Sequence, residues 1–184
     1  MQLVTDDDPS RFVQIWESAG TGEWVIREGT LGRTGRLTET GRTPAEVSVA
    51  ELAAPFLARG FREFPDDGYT AHVVVQFPTE NAAYDRRLIA HATEWLDSVL
   101  DERGLGYVDG FDRGKRLSDR VKIVVNIFAF VKDGELGAVA AHAALKQGSA
   151  DVNRAAIAWR DNSNDEWTVR YDRISRKLPG LFSL

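Results

Sequence analysis

His72-Val-Val-Val-Gln-Phe77 is followed, after four residues, by Ala82-Ala-Tyr-Asp-Arg-Arg-Leu-Ile-Ala-His-Ala-Thr-Glu-Trp-Leu-Asp-Ser-Val-Leu-Asp-Glu102. The first stretch is β-branched and aromatic and reads as a strand. The second places Tyr84, Leu88, Ile89, Ala92, Trp95, Leu96, Val99 and Leu100 on one helical stripe, as expected of a helix packed on a sheet. Gly104 stops that helix. Downstream, Gly106–Asp109 reads as a short strand and Val121–Val131 as a strong one. Asp133 caps a second helix over Glu135–Gln147, which presents Leu136, Val139, Ala140 and Ala143. Ala155–Arg160 and Glu166–Tyr171 form a last hairpin, in which Trp167, Val169 and Tyr171 alternate with polar residues and predict one buried face. The order is β-α-β-β-α-β plus one strand, the split βαβ order of a ferredoxin-like α/β sandwich.

Upstream, Arg11–Trp16 and Glu23–Glu28 read as two strands joined by Glu17–Gly22. Gly29, Gly32, Gly35 and Gly41 then punctuate a stretch with room for one or two more short strands. Thr43-Pro44-Ala45-Glu46 is a helix start: Thr43 caps, Pro44 suits the first position and Glu46 completes a capping box. That helix runs through Leu52 and Ala53, and Pro55 kinks or restarts it. Pro65-Asp66-Asp67-Gly68 is a turn by composition and the best boundary. The expected fold is α+β in two domains: residues 1–66, a small antiparallel sheet with one helix, and 67–184, the ferredoxin-like sandwich with its extra strand.

The chain has 184 residues, 43% hydrophobic and 28% charged, ordinary for a globular protein. Net charge is −5, from 28 acidic and 23 basic residues. Residues 1–67 hold 12 acids against 7 bases, and 68–184 hold 16 of each, so the surplus belongs to the first half. That balance disfavours a chain whose main work is to coat nucleic acid. There is no cysteine, which excludes disulfides, thiolate metal sites and cysteine nucleophiles. Met1–Ser10 is acidic and does not read as a secretory signal. No run approaches the ~20 apolar residues of a membrane span, so a cytoplasmic location without membrane association is the expectation. Scarce lysine beside arginine suits a GC-rich bacterial coding sequence.

The first half resembles a WGR domain. Arg11-Phe12 opens a strand, Ile15 lies further along it, and Trp24-Val25-Ile26 lies in the next. Gly32-Arg33-Thr34-Gly35 falls where the family has Gly-Arg-x-Gly, and a helix closes near Gly60-Phe61. The likeness covers about residues 11–64. Leu31 stands in place of the motif tryptophan, so only Gly32 and Arg33 carry over. In the poly(ADP-ribose) polymerases of eukaryotes this domain helps hold a DNA end and communicates with neighbouring domains. The resemblance therefore implies a nucleic-acid role. Missing aromatic and acidic charge both rank that role second.

Two residue sets are candidates for binding. Arg27, Arg33, Arg36 and Arg42 lie on the glycine-punctuated segment, and arginine's planar fork suits phosphate or carboxylate. The same pattern suits a solvated sheet face paired with Glu23, Glu28 and Glu39. Gly104–Lys115 is glycine-rich but has neither dinucleotide-fingerprint nor P-loop spacing. It reads as a hairpin with positive-φ positions, or as a partner-binding loop using Asp109, Asp112, Arg113 and Lys115. Asp109 with Asp112 or Asp119 makes a weak acid–base or magnesium pair, because Arg113, Lys115 and Arg116 keep those carboxylates ionised. His72, His91 and His142 lack ligand spacing, and no serine sits in a nucleophile elbow.

No metal, cofactor or enzyme activity is expected. The sequence points to a non-enzymatic binding module whose partner is another protein, as for an adaptor or a toxin-neutralising partner. The acidic Asp6–Asp8 run, the 104–115 segment and an exposed tryptophan are candidate contacts. Nucleic-acid binding through the WGR-like sheet is the alternative. The apolar tail 178–184 either docks back or joins an oligomer contact.

Overall fold

In a computed structural model of the chain, the described residues are 1–65, 68–79, 81–116, 120, 122–150, 152–172, 182 and 184. Asp66-Asp67 of the expected boundary turn, Asp119 and most of the apolar tail lie outside them. The fold is α+β. Among the described residues, ten strands form two antiparallel five-stranded sheets, with three α-helices. The chain divides into two compact units: Met1–Gly68 with Glu102–Gly104, and Tyr69–Asp101 with Leu105–Leu184.

The first unit holds β1 (Gln2–Val4), β2 (Arg11–Glu17), β3 (Trp24–Thr30), β4 (Arg36–Glu39), α1 (Val49–Leu57) and β5 (Arg62–Glu63). The sheet order is β4-β3-β2-β1-β5. β1 and β5, three and two residues long, carry too little pattern for periodicity to reveal. Leu3, Val13 and Ile15 from one sheet face pack with Ala53 and Phe56 of α1 and with Phe61. On the other face Gln14 lies opposite Arg27. The helix starts later than Thr43. Thr43 and Glu46 do form the expected contacts, with both the Thr43 N–H and its hydroxyl donating to the Glu46 carboxylate at 2.8 and 3.0 Å. They close one turn only. The helical N-cap is Ser48, in a second box with Glu51. Pro55 lies inside α1, which continues to Leu57.

The second unit holds β6 (Ala71–Pro78), α2 (Ala82–Glu102), β7 (Gly106–Lys115), β8 (Ile123–Val131), α3 (Gly134–Gln147), a 3-10 turn (Val152–Arg154), β9 (Ala156–Asp161) and β10 (Thr168–Asp172). Its order, β10-β9-β6-β8-β7, is the ferredoxin-like arrangement with β10 added at one edge. Asn81 begins α2, its side-chain oxygen accepting from the N–H groups of Ala83 and Tyr84 at 3.1 and 2.9 Å. Gly104 ends it at φ +65°, a conformation costly for residues with a Cβ. Asp133 caps α3, accepting from the Leu136 N–H at 2.8 Å.

Three expectations need correction. The 104–115 segment is not a loop: Gly106–Lys115 is a ten-residue edge strand, paired along β8 with one bulge at Asp109. Gly110 follows at φ +154°, a conformation that glycine permits. Its glycines disguised the strand, because they break the β-branched pattern without breaking the ladder. Second, α3 turns a different face to the sheet. Ala140 is buried as expected, but so are Gly137, Ala138, Ala141, Ala144 and Leu145, while Leu136 and Ala143 are half-buried and Val139 is 41% exposed. A Cβ at Gly137 would stand 2.9–3.0 Å from Val73 and Val131, so the small residues let the helix sit close. Third, β10 has no fully buried face. Val169 is exposed, and Trp167 and Tyr171 are half-buried.

Candidate functional site

The ladders sort the second sheet into two faces. Val73, Val75, Val125, Ile127, Ala129 and Val131 point to one face, where α3 packs through Gly137. α2 lies on that side too, since the Arg113 guanidinium Nε meets the Asp85 carboxylate at 3.1 Å. Val74, Gln76, Val124, Asn126, Phe128 and Phe130 point to the other face, with Ala156, Ala158 and Asp112.

Two polar residues interrupt the apolar runs of the central strands, and they pair. Gln76 and Asn126 are 5% and 4% exposed. Gln76 donates from Nε2 to Asn126 Oδ1 at 2.9 Å, and Asn126 donates from Nδ2 to Asp112 Oδ1 at 2.7 Å. Burying an amide is tolerable when both its oxygen and its nitrogen find partners. Asn126 achieves this, and the chain Gln76–Asn126–Asp112 crosses three adjacent strands to a carboxylate at the sheet edge.

At the same end of this face lies a cavity of about 140 Å³. Gln76, Pro78, Val124 and Ala156 line it together with Arg116, Lys122, Arg154 and Asp172, and its surface is almost wholly apolar. Arg116 is 7% exposed although charged. Its N–H donates to the Lys122 carbonyl at 2.8 Å, which fixes the two cationic residues opposite each other just beyond the Lys115–Ile123 pair. Sequence reading missed this site. The available signal was one polar residue inside each of two otherwise apolar strands, Gln76 and Asn126.

The expected partner residues all fall on β7 but divide between its faces. Asp112 is tied to Asn126 on the face opposite the helices, and Arg113 to Asp85 on the helix face. Asp85 is 1% exposed and also accepts from the Thr79 hydroxyl at 3.2 Å. Asp109 at the bulge and Lys115 at the strand end are exposed. Two large apolar side chains on the same strand are exposed as well, Tyr107 by 42% and Phe111 by 58%. The Asp97 carboxylate accepts from the Val108 N–H at 2.9 Å, covering one backbone donor of the edge.

The four arginines of the first unit do not converge. Arg27 donates to Gln14 Oε1 at 3.0 Å, its guanidinium 5.0 Å from the Trp16 ring centre. Arg36, opposite Glu28, belongs to the other sheet face. Arg33 lies in the turn after β3 and Arg42 before α1, beyond opposite ends of a seven-residue strand, which alone spans about 20 Å. The acidic run is partly neutralised within its unit. Asp6 meets Arg62 at 2.6 Å, which holds its carboxyl below the usual range, and Asp7 meets Arg11 at 2.9 Å. All five tryptophans are half-buried, and Trp24 donates to the Val47 carbonyl at 2.8 Å.

Among the described residues of the second unit, two groups titrate away from their ordinary values. Burial lowers His72, reinforced by Arg160 and opposed by Asp109. Burial lowers Lys132 to about 8, opposed by Asp101. Among the described residues, no cluster of three His, Asp or Glu side chains has the placement of a metal site. Among the same residues, no helix is long and apolar enough to cross a membrane. No family model, curated protein or solved structure matches the chain.

Proposed function

We propose that this is a non-enzymatic binding module of the cytoplasm whose partner is another protein, and that the partner adds an extended segment along β7. One observation carries the reading. β7 is a ten-residue edge strand with Tyr107 exposed toward one sheet face and Phe111 toward the other. A strand laid along such an edge gains main-chain hydrogen bonds and meets an aromatic on each side. Asp109 and Lys115 flank the region with opposite charges and set direction. The bulge and the Asp97 contact at Val108 protect the first part of the edge from indiscriminate pairing, leaving 110–115 as the docking stretch.

The test is affinity capture from the native host with the full chain and with Phe111→Ser. The wild type is expected to retain one dominant protein and the variant to lose it, with melting temperature unchanged. Equal capture by both overturns the reading. Nucleic-acid binding through the WGR-like sheet is the second reading, supported by the exposed Arg33, Arg36 and Arg42. It predicts a mobility shift at low salt with duplex, nicked or single-stranded DNA, weakened by Arg33→Ala.

A further inference from the structure

We propose that the cavity at the end of the second sheet binds a small uncharged apolar molecule, one aromatic ring or an alkyl group of similar bulk. Its wall sets the ligand class. Pro78, Ile123, Val124 and Ala156 line it, and the surface that faces the cavity is almost wholly apolar. The polar residues that border it are already engaged. Gln76 donates its amide to Asn126 at 2.9 Å, and the Arg154 guanidinium lies 5.8 Å from the Tyr84 ring centre. Arg116, Lys122 and Asp172 also hold interactions of their own. Long basic side chains engaged at their tips offer methylene stems to what lies beside them.

Volume and hydration support the same class. The cavity measures about 140 Å³, and an apolar-walled space of about 150 Å³ takes up one benzene. Pockets for drug-sized ligands start near ~300 Å³, so a nucleotide or a sugar phosphate is too large. A bound water needs about two to four polar partners, and this wall offers almost none. Ile123 is 37% exposed although it borders the cavity. A ligand seated there removes apolar surface of both the wall and itself from water, which is favourable without any directional contact. A charged ligand would lose its hydration against a wall that cannot replace it. The cavity is built on β6, β8 and β9, apart from the exposed aromatics of β7. The inference goes beyond the protein-partner reading and does not rest on it.

Methyl NMR spectra of the full chain, titrated with toluene and with benzoate, test it. Toluene is expected to shift the signals of Ile123, Val124 and Ala156 saturably. Those of Leu37 and Val139, exposed elsewhere on the molecule, should stay in place. Benzoate carries the same ring with a carboxylate in place of the methyl group and should bind at least about tenfold more weakly. Ala156→Leu fills the cavity and should abolish saturable toluene binding, with a thermal melt to check the fold. Val124→Ala enlarges the cavity and should raise the affinity for isopropylbenzene relative to toluene, so it decides the matter if the leucine variant does not fold. The proposal is overturned if toluene does not saturate, or if Leu37 and Val139 shift alongside the cavity residues. Benzoate binding as tightly as toluene, or unchanged toluene binding by a folded Ala156→Leu protein, overturns it too. So does an unchanged ratio of the two hydrocarbon affinities in Val124→Ala.

Discussion

The two sheets handle a buried polar residue in opposite ways. In the first, Gln14 is 6% exposed and accepts from Arg27, whose guanidinium lies over Trp16. That amide binds a cation which has an aromatic face to rest on. In the second, Gln76 donates to Asn126 and Asn126 in turn to Asp112, while Arg116, Lys122 and Arg154 line a cavity beyond them. The first arrangement is local and self-contained. The second is a relay across three strands in which every member depends on the next. A half-satisfied network costs more than a fully satisfied or a fully apolar one, so the two sheets should respond differently to the same chemical change.

The largest expected effect lies in the second unit and depends on pH. Lys132 is lowered to about 8 by burial, against about 10.4 in an unfolded chain. Between those values the unfolded state binds more protons than the native state, so stability rises with pH through that window. Below pH 8 both states are charged and the full cost is present. Lys132→Met should therefore stabilise the protein at pH 7 by up to about 3 kcal/mol and show a smaller gain at pH 10. Urea unfolding at both pH values checks this; an equal difference at the two would remove burial as the cause.

Next in size is the direct contrast of the two polar layers. Asn126→Leu strands Gln76 and Asp112 together and should cost about 1–3 kcal/mol. Gln14→Leu should cost less than about 1 kcal/mol, because Arg27 keeps its contact with Trp16. Equal losses in denaturant titrations would erase the distinction between relay and local pair.

The smallest effect compares two capping boxes within the first unit. Ser48→Ala removes the cap of a nine-residue helix and should cost about 1 kcal/mol. Thr43→Ala removes the cap of a single turn and should cost less. Backbone hydrogen exchange over Val49–Leu57 is the discriminating measurement, since only the Ser48 change should accelerate it.

These contrasts also mark what sequence alone could deliver. α2 and β8 were legible because a sustained stripe and a β-branched run each carry one periodicity. The ferredoxin-like order followed from them. β7 was not, since three glycines imitate a loop in composition while the neighbouring strand supplies the ladder. Two Ser/Thr-x-x-Glu boxes stand within nine residues, at Thr43 and Ser48, and local chemistry cannot say which one the core extends. The sheet-facing side of α3 was misjudged because apolar size pointed to Leu136 and Val139. Close packing instead favoured Gly137 and the alanines. The candidate site was the least legible. Arg116, Lys122, Arg154 and Asp172 are spread over 57 residues, and only strand pairing brings them to one end of one face.

The bulge at Asp109 acts as a parity switch for β7. Side chains alternate along a strand, so an odd number of unpaired residues exchanges the two faces for everything downstream. With the extra residue, Asp112 falls opposite Asn126, where a donor waits, and Arg113 falls on the side of Asp85, where a carboxylate waits. A strand of even phase would present an aspartate to the buried Asp85 and an arginine to the amide. One inserted residue thus decides whether two neighbouring charges are complemented or opposed, and fixes the register of the edge strand more firmly than its glycine-rich sequence would by itself.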